Sequence, residues 1–113
     1  MGHTTLRVAA MSRLDRAATP EETTRMQELA RAALAAGAVG LSTGTYYPPA
    51  AHATTEEIIA VAQPLKAYGG RYVTHMRYED DRIAEAMEET FRIGREVGVP
   101  VIISHHKVVG RKN

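Results

Sequence analysis

Residues 19–42 read TPEETTRMQELARAALAAGAVGLS, and a helix running straight into a buried strand accounts for the whole stretch. Thr19 is a natural N-cap, Pro20 suits the first helical position, and Glu22 stands three residues after the cap, which makes a capping box. Met26, Leu29, Ala30, Ala33 and Leu34 then recur at helical spacing on one face. Gly37 ends the helix. Ala38-Val39-Gly40-Leu41-Ser42 is apolar and too short for a helix, so it reads as a buried strand.

The same unit repeats downstream at a spacing of about 30 residues, the length of a βαβ unit. A loop from Thr43 to Ala53 carries Tyr46-Tyr47-Pro48-Pro49. A second helix starts at Thr54, with Glu57 as its capping-box partner. Its apolar face is Ile58, Ile59, Val61, Ala62 and Leu65; Pro64 should bend its last turns, and Gly69-Gly70 stops it. Arg71 to His75 is the next strand. A third helix is expected from Asp80 to Val97, with Ile83, Met87 and Phe91 four apart on one face, ended by Gly98. Val101 to His105 is the third strand. Leu6 to Ala10 reads as a further strand or a loop.

Short apolar strands alternating with amphipathic helices imply an α/β fold with a parallel sheet. Two architectures accept the pattern: a doubly wound sheet and a TIM (β/α) barrel. A complete barrel needs about 250 residues, and these 113 supply three to four of its β/α units.

Composition narrows the function classes. Hydrophobic residues make up 44% and charged residues 24%, which is globular rather than disordered. A formal charge of +1 gives no basic excess for nucleic acid. No apolar run approaches the roughly 18 residues of a membrane span. The start, Met1-Gly2-His3-Thr4-Thr5, lacks the basic and apolar regions of a signal peptide, and the expected compartment is the cytoplasm. With no cysteine, the chain offers neither disulfides nor a thiolate ligand.

Ligands collect at the carboxyl ends of parallel strands in both architectures. Those ends are Ser42-Thr43-Gly44, His75-Met76-Arg77 and His105-His106-Lys107. Neighbouring parallel strands lie about 4.8 Å apart, so imidazoles at matching heights can share one ion. A lone strand-end histidine is more often structural; a pair at equivalent positions raises the case for a metal to about even. His105 and His106 face opposite ways on a strand, and matching position selects His105 to join His75. Lys107 is either a binder of a substrate carboxylate or a solvated strand-end lysine. Tyr46 and Tyr47 either shape a substrate pocket or pack against the prolines. Arg77 is either a charge beside the site or an ion-pair partner of Glu79 or Asp80. His52 is placed at the surface, and His106 either packs outside or holds a loop. Gly40-Leu41-Ser42-Thr43-Gly44 matches G-x-S-x-G literally, but at a strand-to-loop junction and without a paired acid and base. No phosphate-binding glycine motif follows a strand.

Taken together, the block from Gly40 to Pro49, the block Thr74-His75-Met76-Arg77 and the block Ile103-Ser104-His105-His106-Lys107 resemble the D-aminoacylase family, the N-acyl-D-amino-acid deacylases of the amidohydrolase superfamily. The resemblance runs over nearly the whole chain. It implies a zinc-dependent TIM barrel that hydrolyses the amide of an N-acyl-D-amino acid. It implies His75 and His105 as metal ligands from the fifth and sixth strands, Lys107 as the binder of the substrate carboxylate, and Tyr46 and Tyr47 as pocket residues. The strand Ala38 to Ser42 has no lysine to be carboxylated, which fits this branch of the superfamily. The family's first-strand His-x-His pair, its cysteine ligand and its late general-base aspartate are absent from these 113 residues. The chain is therefore expected to be an interior fragment of the catalytic barrel, with no catalytic residue of its own and no activity alone. Two other readings stand beside this one: a non-enzymatic α/β module with structural histidines, and another amidohydrolase acting on a cyclic amide.

Overall fold

A computed structural model describes residues 1–110. Its elements are α1 (His3–Ala10), α2 (Pro20–Ala35), β1 (Gly40–Gly44), α3 (Pro48–Ala51), α4 (Thr55–Ala62), a 3-10 turn (Gln63–Tyr68), β2 (Arg71–His75), α5 (Ile83–Val97) and β3 (Val101–Ile103). The strands form one parallel sheet in the order β1-β2-β3.

The local signals work where they were strongest. The Thr19 hydroxyl accepts from the Glu22 amide at 3.2 Å, and the Glu22 carboxylate accepts from the Thr19 amide at 2.9 Å. This closed box starts α2, which buries Met26, Ala30 and Leu34. Pro64 ends α4 as regular helix and forces the tighter 3-10 turn, which Gly69 closes at φ 63°.

Four expectations need correction. Leu6 to Ala10 is helical, as part of α1. The strand-like stretch is Met1-Gly2 instead: the Ser42 amide donates to the Met1 carbonyl at 2.9 Å, and Gly2 bridges Ser42 in parallel. β1 begins two residues late, at Gly40, and Val39 is exposed. α5 starts at Ile83 rather than Asp80, and its inner face is Ala86, Thr90, Ile93 and Val97. The reason is a close approach. A Cβ on Gly94 would lie 2.3 Å from Val101 Cγ2, so the helix turns this face to the sheet and leaves Phe91 exposed. Finally, β3 stops at Ile103, two residues short.

Strand alternation separates two faces. Leu41, Tyr72 and Val101 stand in register and join the core with Met26, Leu34, Ile58, Leu65 and Ile93 from the helical layer. Ser42, Val73 and Ile102 stand in register on the other face, where Ser42 and Ile102 are exposed. On this second face Gly40 meets β2 closely: an added Cβ would sit 2.3 Å from the Arg71 carbonyl oxygen. Gly40→Ala should therefore cost about 1–3 kcal/mol by overpacking against backbone that cannot rotate away. Denaturant unfolding of the purified variant measures it.

A buried polar cluster ties α1 to α4. Arg7 is fully buried, and its Nη1 meets Glu57 Oε1 and Oε2 at 2.5 and 2.7 Å. The other guanidinium nitrogens donate to the carbonyls of Pro49 (2.9 Å) and Arg16 (2.7 Å). His3 Nε2 lies 3.0 Å from Glu57 Oε1, and the Ala18 amide donates to Oε2 at 2.9 Å. So the capping-box expectation for Glu57 is half met. Its amide donates to the Thr54 hydroxyl at 3.1 Å, but its carboxylate turns inward to Arg7. Burial pushes the Glu57 carboxyl up, but the bonds from His3, Arg7 and Ala18 outweigh burial and hold it below the ordinary glutamate range.

Candidate metal centre

The carboxyl ends of β2 and β3 bring two imidazoles together. His75 closes β2, and its Nδ1 lies 2.6 Å from Nε2 of His105, with ring planes crossing at 74°. The pairing does not follow from equal strand position. Thr74 stands opposite Ile103, so His75 stands level with Ser104, and simple alternation would give the inward face to Ser104 and His106. Instead, pairing ends once the Ser104 amide has donated to Thr74 O at 2.9 Å. The released chain turns the His105 ring to His75; His105 and His106 are both exposed.

Glu79 completes the cluster. Oε1 lies 3.0 Å from His105 Nδ1 and 3.5 Å from His75 Nε2. His75, Glu79 and His105 each offer one ligand atom, all within 4.8 Å of one another. His75 Nε2 and Glu79 Oε1 are buried with no hydrogen-bond partner among the described residues. A buried donor or acceptor left without a partner costs about 1–3 kcal/mol, and a charged one more. Two imidazole nitrogens are donors that suit zinc, and a buried carboxylate beside them adds the negative charge that a cation favours. Burial holds the His75 pKa below the ordinary histidine value; His105 and Lys107 lower it further, against Glu79. His75 is thus neutral at neutral pH, the form with a lone pair to give.

A cavity of about 300 Å³ opens beside these groups, lined by Tyr46, Tyr47, His75, Glu79, Asp80, Lys107 and Val109. The Tyr47 ring lies 5.0 Å from that of His75, and the Tyr46 ring 5.7 Å. Lys107 is half exposed, with Nζ 3.6 Å from Glu79 Oε2. The structure therefore gathers His75, His105, Lys107, Tyr46 and Tyr47 in one place.

The remaining candidates lie elsewhere. Arg77 pairs with Glu89 at 2.7 Å, not with Glu79 or Asp80, and donates to the carbonyls of Ala51 (2.9 Å) and Ala53 (2.8 Å). It pins the segment after α3. Ser42 spends its hydroxyl on the Met1 carbonyl at 3.3 Å. His52 is exposed. Glu79 was visible in the sequence only as a possible partner of Arg77; its four-residue offset from His75 carries no signal in a turn.

Comparison with known proteins gives the cluster a context. No family model matches the chain. Over all 113 residues it is 63% identical to a D-aminoacylase of Alcaligenes xylosoxydans xylosoxydans, of which it spans 23%. A crystal structure of D-aminoacylase superposes with a TM-score of 0.96 at 62% identity, covering 98% of this chain and 23% of that one. An N-acyl-D-glutamate deacylase from Bordetella bronchiseptica, solved with zinc and a phosphonate inhibitor, superposes at 0.94 with 40% identity over the same shares. The chain thus spans about a quarter of the length of the relatives it matches. Among the described residues, no helix is long and apolar enough to cross a membrane.

Proposed function

We propose that this chain, a relative of the D-aminoacylases over its whole length, is part of the catalytic (β/α) barrel of a zinc-dependent N-acyl-D-amino-acid deacylase. The observation that carries the reading is the meeting of His75 and His105 at 2.6 Å across adjacent parallel strands. Residues 1–113 then form one piece of a single barrel domain. Two features fit the wall of a barrel. Each crossover adds its strand on the same side, in the order β1-β2-β3 without reversal. The core helices cover the face that carries Leu41 and Tyr72, and the face that carries Ser42 and Ile102 is left bare.

His75 and His105 would hold the metal. When bound, zinc supplies Lewis-acid polarisation of an amide carbonyl and a bound water of lowered pKa. Lys107 stands at the mouth of the cavity as a point charge for the carboxylate of the substrate. Tyr46 and Tyr47, whose rings lie beside His75, would line the pocket for the substrate side chain. The general base belongs to residues outside these 113, and the partner is a small N-acyl-D-amino acid.

The test is a substrate panel on the zinc-loaded full-length protein. Hydrolysis of N-acetyl-D-amino acids, with their L enantiomers and cyclic amides spared, is the expected result. Turnover confined to a cyclic amide would replace the reading with the neighbouring amidohydrolase class. In the same assay Lys107→Ala should lower kcat/KM by about ten- to a hundredfold, chiefly through KM, as the loss of a charged hydrogen bond worth about 1.5–3 kcal/mol requires.

A further inference from the structure

Glu79 is the one buried group of the centre to which the proposed reaction assigns no task. Its carboxylate sits on the turn after β2, where Oε1 lies 3.0 Å from His105 Nδ1 and 3.5 Å from His75 Nε2, close enough to act on both rings by charge though not aligned for a hydrogen bond in this arrangement. The other two nitrogens, His75 Nδ1 and His105 Nε2, face each other at 2.6 Å. An ionised carboxylate only accepts, so a ring nitrogen beside it is favoured as N–H. The lone pair of each ring then falls on the nitrogen that faces its neighbour. The other end of the residue is fixed too: the Val109 amide donates to the Glu79 carbonyl at 2.6 Å, which ties the segment bearing His105 and Lys107 to this turn.

From this geometry we infer that Glu79 is a positioning residue. It sets the tautomers of both imidazoles, so that His75 Nδ1 and His105 Nε2 present their lone pairs to one cation, and through Oε2 it holds Lys107 beside the same centre. The inference rests on the reading of this cluster as a zinc site, and carboxylates behind ligating histidines play this part in metal centres generally.

The test is zinc affinity of the full-length protein, measured by competition with a chromophoric chelator, together with the visible absorption of the cobalt-substituted protein. Glu79→Gln keeps the volume, removes the negative charge and replaces one acceptor oxygen with an NH2 donor. It should weaken zinc binding by about 10–100-fold and leave the shape of the cobalt bands unchanged, because the ligand atoms are the same. Unchanged zinc affinity overturns the inference. So does a change in the cobalt bands, which would make Glu79 a ligand itself. Should Glu79→Gln fail to fold, Glu79→Asp and Glu79→Asn are compared in the same competition; tighter binding by the aspartate is expected, and equal binding overturns the inference. Zinc binding at wild-type affinity in His75→Ala would instead sink the underlying reading of the site.

Discussion

Glu57→Gln should cost about 3–5 kcal/mol of folding stability, the largest effect expected of a residue outside the metal centre. Among the described residues, the carboxylate is the only counter-charge within reach of Arg7, which is fully buried and meets both oxygens at 2.5 and 2.7 Å. Removing the negative charge leaves a guanidinium in the interior whose other bonds go to neutral carbonyls. Arg7→Met with Glu57→Gln should recover part of the loss, because the buried charge leaves with its partner. The pair also predicts acid lability. The folded Glu57 carboxyl lies below its unfolded value, so its contribution is fully present above the unfolded pKa and is lost as pH falls through the folded one. Denaturant midpoints measured from pH 7 downward should fall in the wild type. That part of the slope should be missing from Glu57→Gln.

His75→Ala and His105→Ala should each remove zinc binding at working metal concentrations. Each should lower the deacylase rate by about three powers of ten, since several kcal/mol of transition-state stabilisation depend on the metal at 1.36 kcal/mol per power of ten. Neither change should cost much folding stability. His75 is only partly buried and His105 is exposed, and the rings beside His75 are those of His105 and of Tyr46 and Tyr47, all three exposed residues. Melting of the metal-free variants within a degree or two of wild type, with zinc binding gone, separates a ligand from a structural histidine. A large loss of stability in the metal-free state would instead favour the module with structural histidines.

Much of this was legible because it rests on local chemistry. The capping box at Thr19 and Glu22, the stop at Gly69 and the bounds of β2 all follow from a few neighbouring side chains. α1 hid because two of its three buried residues, His3 and Arg7, are polar. A periodicity built on apolar residues cannot register a helix whose inner face is an ion pair. The buried face of α5 was not legible because the residue that sets it, Gly94, has no side chain to count; its meaning is the distance to Val101. At the site, the residue types and strand ends were readable, and His105 does meet His75. Its partner Glu79 was not, because a turn residue is placed by the chain's path and not by a repeat.

The account depends most on a shared cation between β2 and β3, and X-ray absorption at the zinc edge of the full-length protein reads that directly. It predicts outer-shell scattering from at least two imidazoles, with one lost in His75→Ala and one in His105→Ala when each is loaded at high zinc. Spectra from both variants that match the wild type would show the metal to be held elsewhere and the account to be wrong.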